Sequence, residues 1–266
     1  MSAPERFDQI TAGLIDGVHE QADLVGLVLL GSAAESAASR RDEWSDHDFF
    51  ALAAPGAGAS VRESLAWLPD HAHLVLTARE GEIGFVALYD DGHVLEFALS
   101  EVGELAGALA DDASVVVDDA SGTAAALIDA SRERAASADE FDPENDIRLV
   151  LTKLLVGVGR LRRGERLVAN SFIRTWAVQR LTRAIRGRFS EQSSGLRDTI
   201  DLERRFEWDF PEWAARIGDA LDRDAENAAH DLFTFVRDVL EPGWEGFPTA
   251  AADAVARRLG WVASPG

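Results

Sequence analysis

The sequence predicts an α/β domain with a mixed sheet followed by an α-helical domain. Short apolar runs alternate with helical spacing up to about residue 140, and beyond it only helical spacing remains. The charge changes at the same place: residues 1–140 carry 27 acids and 7 bases, whereas residues 141–266 carry 20 acids and 19 bases. We therefore expect domains over 1–140 and 141–266, each long enough for its own core.

Each element has a local reason. Over residues 4–21, Phe7, Ile10, Leu14 and Val18 recur three or four apart, which predicts a helix. Residues 24–30 form a nearly continuous apolar run that ends at Gly31 and Ser32, a buried strand turning into a helix. A second strand is expected at 47–53 and a helix at 61–68, stopped by Pro69. Strands at 73–77, 84–89 and 94–100 follow, the last two joined by Asp90, Asp91 and Gly92 as a hairpin. After Pro143, helices are expected at 144–163 and 168–188, then two to four more between 197 and 259, interrupted by Pro211 and Pro242.

Composition excludes several classes. A formal charge of −21 rules out a uniformly basic nucleic-acid binder. The absence of cysteine removes disulfides, zinc-thiolate sites, iron–sulfur clusters and thiol nucleophiles. No apolar run reaches membrane-spanning length, and Ser2 to Asp8 is polar and acidic where a signal segment is basic and then apolar. These features lead us to expect a soluble, cytoplasmic protein without membrane contact. Residues 148–188 hold 10 arginines and Lys153 against the single acid Glu165. Two readings fit that segment: the arginines dock the two parts together, or a polyanion such as a nucleoside triphosphate is held between them.

The most informative stretch is LLGSAAESAASRRDEWSDHDFF, residues 29–50. An apolar strand ends in Gly31-Ser32, and Asp46 and Asp48 then flank His47 at the start of another strand. Side chains alternate across a strand, so the two carboxylates share a face. A divalent cation is the usual reason to tolerate that repulsion, and oxygen-only ligation suits Mg²⁺ or Mn²⁺. Gly31 lets the backbone approach a phosphate, and Ser32 is placed to cap a helix whose N-terminus favours anions. Glu96 interrupts the apolar strand at 94–100, where a carboxylate is costly without a partner.

This order of strand, Gly-Ser, Asp-x-Asp and a later acid in a strand resembles the DNA polymerase β-like nucleotidyltransferase superfamily. The length and the helical second half look like the antibiotic nucleotidyltransferases that adenylylate aminoglycosides or lincosamides. The resemblance covers about residues 29–99. It implies a nucleotidyltransferase domain in which Gly31 and Ser32 contact the nucleotide phosphates. It further implies that Asp46 and Asp48 bind two Mg²⁺ ions and that Glu96 is a third metal ligand or the general base. His47 departs from the apolar residue common at that place, and the Gly-Ser to Asp spacing is long for the family.

Lys153 is the only lysine, and it stands in the apolar helical stretch LVLTKLLVGV. A compact ammonium suits a phosphate, and Gly157 one turn on is expected to leave space beside it. The related enzymes carry a phosphate-binding lysine on the corresponding helix, which makes Lys153 the candidate cation for the triphosphate. Arg40 and Arg41, just before the aspartates, are weaker phosphate candidates. Arg223 and His230 stand seven apart on a predicted helix and are read as structural. His71 and His73 lack a third metal ligand. Trp176, Trp208, Trp213, Trp244 and Trp261 are expected to pack the helical half.

The expected activity is Mg²⁺-dependent transfer of AMP from ATP, the co-substrate, to a hydroxyl of a small molecule, an aminoglycoside or lincosamide antibiotic. The expected active site lies between the two domains of a monomer or homodimer. The alternative is a toxin–antitoxin type of nucleotidyltransferase acting on tRNA or protein, or a non-catalytic nucleotide sensor.

Overall fold

A computed structural model describes residues 3–110, 112–137, 141–193 and 201–261. The chain divides into two compact units, Met1–Ala138 and Asp139–Gly266.

In the first unit, α1 (Ala3–Glu20) precedes β1 (Leu24–Leu30) and β2 (His47–Ala53). A short α2 (Gly58–Val61) follows, then β3 (Leu74–Glu80), β4 (Gly84–Tyr89), β5 (Val94–Ser100), β6 (Ala113–Val117) and α3 (Thr123–Ser137). The six strands form one mixed sheet in the order β3-β4-β5-β2-β1-β6. β1 runs antiparallel to both β2 and β6, and β2 runs parallel to β5.

Strand alternation divides the core between the two faces of the sheet. On one face, Phe7, Ile10, Leu14 and Val18 of α1 pack with Leu27, Leu29, Phe49, Ala51, Phe97 and Leu99. On the other, Ala124, Leu127 and Ile128 of α3 pack with Val28 and Leu52. Full burial of one such side chain contributes roughly 1.5–3 kcal/mol.

Two local expectations are corrected. Only Gly58–Val61 is helical in the region of the helix predicted at 61–68. There the Ser64 hydroxyl accepts the Ala66 N–H (3.3 Å), a local alternative to helical bonding, and Pro69 disfavours helix at the residue before it. The chain after β1 forms two short 3₁₀ turns, Gly31–Ala33 and Glu35–Arg40, where an α-helix was expected. Ser32 Oγ donates to the Asp46 carbonyl and Ser36 Oγ to the Asp112 carboxylate, contacts with residues outside the stretch that tie it down in this form. β6 and α3 had not been anticipated.

The second unit is helical. Asp142 caps α4 (Pro143–Arg162) by accepting the Asn145 N–H at 2.9 Å, and Pro143 occupies the first turn, where a missing N–H costs nothing. The helix expected at 168–188 consists of α5 (Arg166–Asn170), a π-helical stretch Ser171–Trp176 and α6 (Ala177–Arg188). Next come α7 (Phe206–Asp209), α8 (Pro211–Leu221), α9 (Ala225–Phe235) and α10 (Thr249–Leu259). The part of the expected helical region at 197–200 lies outside the described residues. Ile147, Val150, Leu154 and Val158 of α4 join Ile173, Leu181, Ile185, Leu232 and Phe235 in one core. Among the described residues no helix is long and apolar enough to cross a membrane.

Arginines of the basic segment find acids within this unit. Arg148 pairs with Glu144 (2.9 Å), Arg160 with Glu165 (2.7 Å) and Arg162 with Glu226 (2.5 Å). Arg180 and Arg183 share the buried Asp146, and Arg186 is buried against Asp209. Four carboxylates from outside the segment, Glu144, Asp146, Asp209 and Glu226, therefore offset part of its excess positive charge. Two further expectations fail here. Arg223 lies before α9, so it does not share a helix with His230, and both contact Asp231. Trp176 and Trp208 are exposed, whereas Trp213, Trp244 and Trp261 do pack against the core.

Candidate active site

The parallel pairing of β2 with β5 sets Asp48 directly opposite Glu96. Residues in register on neighbouring strands share a face, and the strands lie about 4.8 Å apart. Asp48 and Glu96 thus stand side by side on the face that carries α3, beyond the part that α3 packs. The other face takes His47 and Phe49, both buried.

Gly31 closes the site from the end of β1. Its φ is +51°, and a Cβ added there would lie 3.2 Å from Asp48 Oδ2. The left-handed backbone and the nearby carboxylate both favour glycine. The turn is tied down on several sides. Gly31 N–H donates to the Asp112 carbonyl (3.0 Å), and Ser32 Oγ donates to the Asp46 carbonyl (3.2 Å). Ser32 is thus a brace to the aspartate loop, and the expected role as an α-helix cap is corrected.

Arg41 stitches the same turn. Its Nε donates to the Ser32 carbonyl (3.1 Å) and its Nη2 to the Ala33 carbonyl (3.3 Å), while the guanidinium lies over the Phe7 ring at 4.1 Å. Arg40 pairs with Asp112, which also accepts from Ser36 Oγ (3.0 Å). The start of β6 therefore anchors the Gly-Ser loop.

Asp46 and Glu96 line a cavity of about 710 Å³ in the first unit, together with Trp44, His93, Val94 and Phe7. Trp44 is 85% exposed. Neither Trp44 nor His93 had been singled out in the sequence, although a lone tryptophan in the polar stretch DEWSD was a visible signal. A volume of this size suits a small-molecule ligand.

Behind the carboxylates, His47 is fully buried. Its Nε2 lies 2.8 Å from Thr11 Oγ1 and its Nδ1 lies 2.7 Å from His93 Nε2, and its ring stacks on Phe7. Burial pushes the His47 pKa down to about 3, with His93 and Arg41 acting in the same direction. Burial lowers the His93 pKa as well. The pair is neutral near pH 7, and His47 fills the opposite face of the sheet from Asp48 and Glu96.

The donors fit a hard divalent cation in chemistry, since all are carboxylate oxygens: Asp48 and Glu96 share one strand face, and Asp46 stands in the loop just before β2. As the side chains stand, however, no group of three or more His, Cys, Asp or Glu among the described residues is gathered closely enough to hold a metal ion. Glu96 is exposed.

Lys153 belongs to the second unit, on α4. Its Nζ lies 5.7 Å from the Phe172 ring centre and 5.4 Å from that of Trp176. The expected space at Gly157 is filled: an added Cβ would lie 2.6 Å from Ile173 Cγ1, so this glycine serves close helix packing.

No family model and no curated protein matches the sequence. Among solved structures, an aminoglycoside 6-adenyltransferase from Bacillus subtilis is similar at 14% identity over 97% of this chain and 93% of that one, with a TM-score of 0.29. So distant a likeness does not carry that protein's activity to this chain. The mixed sheet with flanking helices, followed by a helical unit, agrees with the predicted architecture.

Proposed function

We propose that the chain is a nucleotidyltransferase that transfers AMP from ATP to a hydroxyl of a small molecule, an aminoglycoside or lincosamide antibiotic, forming a phosphodiester and releasing pyrophosphate. The observation that carries this reading is the pairing of Asp48 with Glu96 on one strand face, with Gly31 against Asp48. Asp46, Asp48 and Glu96 are the residues that would hold Mg²⁺, as two ions, once their side chains turn toward a common cation. Bound Mg²⁺ supplies neutralisation of phosphate charge. Gly31 and Ser32 offer a turn that phosphates can approach without a side chain in the way. Arg41 keeps that turn in shape and retains further N–H donors for an anion. Glu96 accepts the proton of the acceptor hydroxyl. Lys153 is the proposed cation for the β and γ phosphates.

Incubation with labelled ATP and Mg²⁺, offering aminoglycosides, lincosamides and bulk tRNA in parallel, tests the reading. Label on a small molecule supports it. Label on tRNA alone replaces the acceptor class, and no label with any acceptor favours a nucleotide sensor. Asp48→Asn is expected to abolish transfer while leaving the thermal melt unchanged; full activity in that variant removes Asp48 from the chemistry.

A further inference from the structure

The surroundings of Lys153 differ from those of every other base on its helix. Arg148, Arg160 and Arg162 of α4 each pair with a glutamate. Among the described residues Lys153 meets no carboxylate, and its ammonium faces two aromatic rings instead. Such rings attract a cation without cancelling its charge, so Lys153 is held in place and left able to take an anion.

The rings are set by an irregularity of the backbone. Phe172 and Trp176 lie on the π-helical stretch between α5 and α6, and their rings meet edge to face with centres 4.6 Å apart. Between them in sequence, Ile173 is buried against Gly157, which fixes the stretch on α4. Single π turns concentrate at functional sites. Trp176 is 38% exposed and, unlike Trp208, the unit's other exposed tryptophan, it stands beside a base that meets no carboxylate, whereas Trp213, Trp244 and Trp261 pack against the core. A cation without an acid beside an uncovered indole matches a ligand that is anionic at one end and planar at the other.

We propose that Lys153, Phe172 and Trp176 form a nucleotide-binding platform, in which the ammonium takes phosphate and the exposed indole stacks the base. The choice of a nucleotide as ligand rests on the reading of the chain as a nucleotidyltransferase. Phe172 is a positioning residue that braces both the indole and the ammonium. The indole supplies affinity for the base and none for phosphate.

Calorimetric titration of the full chain in Mg²⁺ with ATP and, separately, with inorganic tripolyphosphate tests this division. Lys153→Met is expected to weaken both probes. Trp176→Leu is expected to weaken ATP by about tenfold, in line with the usual strength of base–aromatic stacking, and to leave tripolyphosphate unchanged. Trp176→Phe should recover most of the ATP affinity, which separates lost stacking from lost structure. The platform is overturned if Trp176→Leu leaves ATP binding intact, or if it weakens both probes equally. A wild-type chain that binds ATP with these dependences but transfers nothing keeps the platform and loses the enzymatic reading. A chain that binds neither probe loses both.

Discussion

Gly31 shows how a single missing side chain serves both conformation and chemistry. Alanine at φ +51° incurs roughly 1–2 kcal/mol of left-handed strain, and its Cβ would press on the Asp48 carboxylate at 3.2 Å. Gly31→Ala should therefore lower the melting temperature by a few degrees and reduce transfer more than that loss explains, as read from a thermal melt beside an activity assay. The neighbouring histidines make a pH prediction. The folded pKa of His47 lies near 3, below its ordinary 6.5, so the unfolded chain binds the proton more readily between those values. Stability is full above about pH 6.5 and falls toward pH 3, by up to about 1.4 kcal/mol per pH unit from His47, with His93 adding in the same direction. Urea unfolding at a series of pH values should show this slope, and His47→Gln should flatten it.

At the scale of elements, the legible parts were those whose periodicity or apolar runs are unbroken. β1, β2, β4 and β5 were read at their observed bounds because each is a compact apolar run with a turn signal at its end. The region at 61–68 misled because its apolar spacing is helical while Ser64 and Pro69 act against a helix. β6 is only five residues long and gains its place by pairing with β1, a long-range contact that local pattern does not report. The π stretch was equally invisible, since its residues continue a helical pattern and only the fit of Ile173 against Gly157 marks the change. That fit is testable. Gly157→Ala gains about 1 kcal/mol of helix propensity, but its Cβ would stand 2.6 Å from Ile173 Cγ1. Overpacking of this kind costs about 1–3 kcal/mol, so a net loss of stability is expected in urea denaturation.

For the whole molecule, charge is the dominant property. The 25 acids and 7 bases of residues 1–138 place like charges on one small unit. Self-repulsion opposes folding there and is screened by salt. Raising ionic strength from about 10 mM to about 150 mM shortens the screening length from about 30 Å to about 8 Å, and the melting temperature should rise with it. A melting temperature that stays flat or falls across that range would show that carboxylate repulsion does not govern stability. In the second unit such an effect should be small, because pairs such as Arg180 and Arg183 with Asp146 already balance the charge locally.

Composition and pattern sufficed for the division into a mixed-sheet half and a helical half, and for the opposite placement of Asp48 and His47 on β2. These follow from periods of two and 3.6 residues and from where charge accumulates, all of which are local properties. The register that sets Asp48 beside Glu96, the anchoring of the Gly-Ser turn on β6, and the arrival of Trp44 and His93 in one cavity depend on contacts between distant segments. So do the partners of the arginines and the aromatic seat of Lys153. A linear pattern carries charge and hydrophobicity but not the neighbours that folding supplies, and here those neighbours decide which bases of α4 meet carboxylates and which meets aromatic rings.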